Sequence, residues 1–172
     1  MLTMTGNIDG TVFRNFAFFD SFVRKKGWRN PVIFACIMTA FAAVCFAARK
    51  THEQAAMLGG VLLAIGLLLP AVWFALFYVS VSKQVKINGL SATKAQYYVL
   101  LSPEKIRVIR GEERAEYEWK SVYMAYRVKG CIYLYVTSAR AYLMPDCDDT
   151  QKAWEMITSL LPAEKVLAKT AV

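Results

Sequence analysis

Apolar residues dominate one block of the chain. One run extends from Pro31 to Ala48 and a second from Ala55 to Val81, separated only by the polar sextet Arg49-Lys50-Thr51-His52-Glu53-Gln54. Neither run contains a charge. Each approaches or exceeds the roughly 20 residues that a helix, rising about 1.5 Å per residue, needs to cross an apolar slab of about 30 Å. The pattern predicts a transmembrane helical hairpin over residues 31-81, with spans at 31-48 and 55-81.

Within the hairpin, small residues recur at every fourth position: Ala35, Thr39, Ala43 and Ala47 in the first helix, Ala56, Gly60 and Ala64 in the second. Pivoting on the sextet brings Ala47 opposite Ala56, Ala43 opposite Gly60 and Thr39 opposite Ala64. Close backbone approach along such rows stabilises helix pairs in lipid, so these seven residues are the expected helix-helix packing positions, within one chain or between two. Pro70 should kink the second helix by removing one backbone hydrogen bond. Trp73, Phe74, Phe77 and Tyr78 crowd the same end of the hairpin as Trp28, where an interfacial aromatic belt belongs. No ionisable side chain lies within either run, which disfavours a transport path.

Before the first run, Phe13, Phe16, Phe19 and Phe22 repeat every third residue, with Phe18 alongside and Arg24-Lys25-Lys26 after them. Residues 1-30 therefore read as an amphipathic N-terminal segment, its aromatics lying in the membrane interface or covering the tail domain. A head of this length, followed at once by a second apolar run, does not suit a cleaved signal peptide.

After a polar connector at 82-93 the periodicity changes from helical to two. Strands are predicted at Tyr97 to Leu101, Lys105 to Arg110, Arg114 to Trp119, Val122 to Lys129, Cys131 to Thr137 and Arg140 to Pro145, with turns at Ser102-Pro103-Glu104, Gly111-Glu112-Glu113 and Lys129-Gly130. Ala115, Tyr117 and Trp119 alternate with Glu116 and Glu118, as a half-buried strand requires. A final helix at about 148-161 carries Trp154, Ile157, Leu160 and Leu161 on one stripe and stops at Pro162. Asp148 can cap its first turn, with Gln151 reaching back. Residues 94-172 thus form an α+β domain: about six antiparallel strands in a small bent sheet or barrel, closed by a C-terminal helix. That element order is the plan of pleckstrin-homology-like (PH-like) domains.

Charge refines the topology. The chain has 21 basic and 13 acidic residues and a formal net charge of +8, of which residues 1-30 carry +3, the sextet +1 and residues 82-172 +4. The excess flanks the apolar runs, at Arg24, Lys25, Lys26 and Arg29 before the first and Lys83, Lys86 and Lys94 after the second. The positive-inside rule then sets both termini in the cytoplasm, with two spans in the membrane. Mixed signs along the tail argue against nucleic acid. Lys105 and Arg107, alternating on one strand with Lys83, Lys86 and Lys94 nearby in sequence, are candidates for anionic-lipid contact; the competing reading is a solvated strand face.

Candidate chemistry is sparse. Cys36, Cys45, Cys131 and Cys147 have neither metal-ligand nor CxxC spacing, and His52, the only histidine, lies in the hairpin turn. No metal, cofactor or catalytic residue is expected. Asp146, Asp148 and Asp149 could hold a cation, but acids at a helix start are better explained by capping and the helix dipole.

Three stretches carry a resemblance: Leu101-Ser102-Pro103-Glu104-Lys105-Ile106, then Tyr117-Glu118-Trp119-Lys120-Ser121-Val122, and Ile132-Tyr133-Leu134-Tyr135 through Tyr142-Leu143-Met144-Pro145. In these the chain resembles the YcxB-like family, bacterial membrane proteins with two N-terminal spans and a cytoplasmic PH-like domain. The resemblance implies fold and location, without an established activity. It carries Trp119 and Pro145 over as structural positions, which join Tyr117 and Trp154 as the expected domain core. Where the family often follows that Pro with basic residues, this chain has Asp146-Cys147-Asp148-Asp149, which weakens any headgroup site there. The expectation is a non-enzymatic membrane-anchored module that recognises a protein partner at the cytoplasmic face. Its rival is a structural homo-oligomer assembled through the small-residue faces.

Overall fold

The computed structural model describes residues 2–50, 52–90 and 95–168. They separate into two compact units, Met1–Phe16 with Val85–Val172, and Ala17–Gln84. The first is built on two four-stranded sheets.

Sheet A is an antiparallel meander of β1 (Leu2–Ile8), β2 (Ala95–Leu101), β3 (Lys105–Arg110) and β4 (Glu113–Glu118), in that order. Its first strand corrects the expectation for residues 1-30, since Leu2–Ile8 pairs with β2 along its whole length, Leu2 opposite Leu101 and Ile8 opposite Ala95. Met4, at 0% exposure, lies in the core beside Val99 and Val108. The Leu2, Met4, Ile8 alternation is short and interrupted by Thr5 and Gly6, so its strand character depends on finding β2 about 90 residues later. Sheet B runs β7 (Ala141–Pro145), β6 (Cys131–Tyr135), β5 (Met124–Val128) and β8 (Val166–Ala168), with β8 parallel to β5. The expected barrel does not close. A 3-10 turn at Trp119–Ser121 takes the chain from β4 to β5, and β7 pairs only with β6. Trp119 fixes that corner: its indole is buried and donates to the Ser102 carbonyl oxygen at 2.8 Å.

α4 (Thr150–Leu160) lies over the core through Ala153, Trp154 and Ile157, and Leu161 follows them in. Its start differs from the expected capping box. Asp148 is exposed and Asp149 caps without a side-chain bond, reaching Lys152 at 2.8 Å instead. Thr150 takes the local role, its hydroxyl accepting the Cys147 N–H at 2.7 Å, while Gln151 accepts from Arg127. Trp119 and Trp154 belong to the core, and Tyr117 packs against it; Pro145 is half-buried at the end of β7.

The second unit holds α2 (Arg29–Ala47) and most of α3 (Glu53–Ile87), helices of 19 and 35 residues, about 28 and 52 Å long. α3 runs through Pro70 and on to Ile87, so the connector expected from residue 82 starts as helix. Both helices are long and apolar enough to cross a membrane, and only 6% of each apolar window is buried. Ile33, Phe41, Val44, Leu68, Leu76 and Val79 point outward.

The two helices meet on a face displaced by about one residue from the expected one. Gly59 is buried against the Ala42 carbonyl and Cys45, and Gly66 against Met38 and Ala35. Of the seven residues expected to pack, Ala35 alone is on this face; Thr39, Ala43, Ala47, Ala56, Gly60 and Ala64 are exposed. The rotation of the pair is marked by Gly59 and Gly66 rather than by the small-residue row. Bulky Met38 and Phe46 fit here because Gly66 and Gly59 lie opposite them, so the seam combines large with small as well as small with small.

The N-terminal aromatics, on α1 (Gly10–Phe18) and just after it, divide between the units. Phe16 packs edge-on against Tyr133 with ring centroids 5.3 Å apart. Phe22, in a π-helical turn at Phe19–Arg24, meets Phe77 at 4.8 Å and Phe74 at 5.6 Å. Asp20 binds Arg24 at 2.6 Å and Lys25 at 2.7 Å, offsetting part of the positive charge before the first span.

In detergent micelles, Gly59→Leu should cost about 1–3 kcal/mol, because its side chain would enter the Ala42 and Cys45 contact. Gly60→Leu meets open space and should stay within about 0.5 kcal/mol of the parent. Thermal unfolding followed by circular dichroism compares the two. Equal destabilisation would refute the displaced seam.

Candidate binding cleft

In the inward row nearest the β3–β4 turn, Gly6 faces Tyr97 across β1 and β2, and Arg110 faces Glu113 across β3 and β4. The row is set by register, since side chains on alternate residues share a face. Tyr97 extends across β1 because Gly6 has no side chain: a Cβ there would lie 2.5 Å from the tyrosine ring. The hydroxyl so reaches β7, donating to the Leu143 carbonyl and accepting the Leu143 N–H, both at 2.6 Å. Both outward backbone groups of one residue on an otherwise open sheet edge are satisfied by one side chain. Burial pushes the Tyr97 phenol well above its ordinary range, with the Leu143 N–H opposing that shift.

Beyond Tyr97 the unit opens into a cleft of about 520 Å³, within the usual range for ligand sites. Ile8, Phe13, Phe16 and Val108 supply apolar walls, and Arg110, Arg114, Arg140 and Glu113 the charged rim. Two short turns deliver the arginines. Arg110 and Glu113 flank the two-residue turn Gly111-Glu112, where Gly111 takes φ +60, a conformation that glycine adopts without strain. Arg114 follows at the start of β4. Arg140 precedes β7 in a turn held by the Thr137 hydroxyl, which accepts its N–H at 3.0 Å.

Arg140 also approaches the Tyr117 hydroxyl at 3.5 Å, and Tyr117 shares a hydrogen bond of 2.9 Å with Tyr142. Burial, then the Tyr117 bond, pushes the Tyr142 phenol up to about 12. Among the described residues none of the three arginines has a carboxylate within ion-pairing distance, and Glu113 is the only acidic residue of the lining. The cleft therefore presents guanidinium groups without carboxylate partners beside an apolar wall, an arrangement able to hold an anion.

The expected lipid-contact residues are arranged differently. Lys105 and Arg107 converge on Glu116 across the β3–β4 pair, at 2.7 and 2.6 Å. Their hydrogen bonds, Lys105 first, hold the Glu116 carboxyl below the usual range. Two charges are thus partly offset, and the row is mainly a solvated cross-strand cluster. Lys83 and Lys86 are exposed on α3; Lys94 lies outside the described residues. Sequence reasoning missed Arg110, Arg114, Arg140, Tyr97 and Tyr142, which it had read only as strand residues. The sequence around Arg110 and Arg114 also carries Glu112, Glu113 and Glu116, so no local charge pattern marks the cleft, and Arg140 comes from another sheet.

Compared with known families, residues 101–155 match the family model described as YcxB-like protein. The match starts at the last residue of β2 and ends within α4, so it takes in Arg110, Arg114, Trp119 and Arg140 but neither β1 nor the two apolar helices. No curated protein and no solved structure matches the chain.

Tyr97→Phe should cost about 1–3 kcal/mol by leaving the Leu143 groups unpaired, measured by urea unfolding. Alkali acts in the same direction as that substitution. The Tyr142 phenol stands at about 12 in the fold against an ordinary 10.0, so its contribution is complete below pH 10 and is lost as pH climbs from 10 toward 12. Stability measured from pH 8 to 12 should fall over that window, and less steeply in Tyr142→Phe.

Proposed function

We propose that the chain is a non-enzymatic binding or scaffolding module anchored in the bacterial inner membrane, whose PH-like β unit recognises a protein partner at the cytoplasmic face. The observation that carries the reading is the cleft, with three arginines that form no ion pair among the described residues and an apolar wall beside them, in a unit whose chain also supplies two unburied apolar helices.

Three further observations support it. Strands β1 and β2 lie on either side of the helices in sequence and pair residue for residue, so both must fold in one compartment. That requirement suits a hairpin of two spans and excludes one span. The basic residues around Arg29 and Lys83 favour the cytoplasm for that compartment. The six strands β2 to β7 followed by a C-terminal helix keep the order expected of a PH-like domain, to which β1 adds an antiparallel edge and β8 a parallel one.

A second reading has its own observation. Thr39, Ala43 and Ala47, with Ala56, Gly60 and Ala64, are exposed rather than used between α2 and α3, so a homo-oligomer could assemble on them.

In-cell photocrosslinking on the full chain separates the two. Photoreactive residues at Tyr98 and Tyr123, both exposed on the β unit, should capture one and the same other protein, identified by mass spectrometry. Capture of only a second copy, from exposed Met57 or Leu68, would replace the module with the oligomer. The side of the membrane is read by a membrane-impermeant maleimide. It should label exposed Cys147 in a variant lacking Cys36 and Cys45 only after the cells are opened; labelling in intact cells would reverse the topology.

A further inference from the structure

The partner's chemistry can be narrowed, on the footing of the module reading above. We propose that the cleft takes an extended acidic segment of a protein, carboxylates on the arginines and an apolar side chain between Phe13 and Phe16.

Charge complementarity selects an acid. The lining holds three arginines against one carboxylate, Glu113, which stands opposite Arg110, while Arg114 joins at the mouth from the alternate face of β4; the positive excess is about two charges beside a wall of apolar side chains. A guanidinium is planar, permanently charged and able to hold a carboxylate through two parallel N–H bonds. None of the three spends that capacity on an ion pair among the described residues.

The sheet edge selects a peptide over other acids. β7 pairs only with β6, so its other edge faces the cleft. Tyr97 covers that edge at Leu143. Two residues earlier, Ala141 directs its own N–H and C=O the same way, because backbone groups alternate sides along a strand. Ala141 lines the cleft, and no bond from those groups to another strand lies in the sheet ladders. A strand-like peptide can bind them while its side chains alternate between the arginines and the apolar wall, the arrangement of strand addition at an open edge. A lipid headgroup or inorganic phosphate offers charge but no backbone to pair. Tyr97 thus has two consequences for recognition: it fills the inner part of the edge and leaves the outer part for a ligand.

Glu113 gives the proposal a sign test. It stands opposite Arg110, so it repels an acidic ligand and competes for the same guanidinium. Removing its charge should strengthen binding, whereas a merely structural residue would not.

The probe is a hexapeptide library of Asp, Glu, Phe, Trp and Leu, offered to the full chain in nanodiscs of neutral lipid, with a matched library carrying Lys in place of the acids. Bound peptides are read by mass spectrometry and the best re-measured by fluorescence anisotropy. The acidic library should be enriched and the lysine library not. Arg110→Gln with Arg140→Gln should weaken the best peptide at least tenfold, and Glu113→Gln should tighten it severalfold, with the circular dichroism of each variant unchanged. Should the double variant not fold, the Glu113→Gln result and methylation of the peptide's backbone amides, expected to weaken it tenfold, decide the question alone. Enrichment that ignores all these changes would overturn the proposal. So would no enrichment, or arginine-dependent binding of dihexanoyl phosphatidylglycerol in place of peptide. Any of these, combined with capture of another protein from Tyr98 and Tyr123, would place the partner elsewhere on the β unit and keep the module reading; loss of both would remove it.

Discussion

A single buried phenol sets the geometry of the β unit. Tyr97 links the two sheets by giving the exposed edge of β7 a donor and an acceptor in one group, each at 2.6 Å. The bond requires the ring to pass over β1, and β1 allows this because Gly6 faces it. Without that bridge, two polar backbone groups would be buried unpaired beside the core, at a cost comparable to a substantial part of a small domain's stability. A backbone ladder would join the sheets into a barrel and leave no space between them. A side-chain bridge joins them at one point, and the cleft is what remains beside it.

The same constraint explains why the apolar helices lie within the domain's sequence. β1 must pair with β2, and the chain between them contains the whole of the helical unit. An antiparallel hairpin returns to the side it left, so an insertion of two spans is compatible with one sheet on one side of a bilayer. Inside that insertion the packing face is set by shape. Gly59 and Gly66 receive Cys45 and Met38, while the regular row through Gly60 is left outward. Dispersion between well-fitted surfaces decides such contacts where no hydrophobic drive exists between helices.

Charge has different consequences on the two ends of β3. At Lys105 and Arg107 the cross-strand register puts Glu116 opposite, so the positive row is compensated within the sheet. At Arg110 the chain is turning, the facing acid is outnumbered, and Arg140 arrives from the other sheet through its own turn. Equal residue types thus give a solvated cluster in one place and, in the other, an arginine rim without ion pairs among the described residues. The family match spans both ends, together with the Trp119 corner.

By itself the sequence determined what depends on neighbours a few residues apart. Two uncharged runs of spanning length give two helices; alternation and turn residues gave β3 with its bounds, Lys105–Arg110, and most of the next four strands; the apolar stripe gave α4. Tertiary structure decided what depends on distant partners. Leu2–Ile8 is a strand only because β2 accepts it, and the rotation of α2 on α3 follows from side-chain shape that a small-residue row does not encode. The arginine cleft exists only because two turns, one from each sheet, are brought to one end of the two sheets. Local physics is repeated along a chain and can be read from it, whereas a site made by convergence has no local pattern to read.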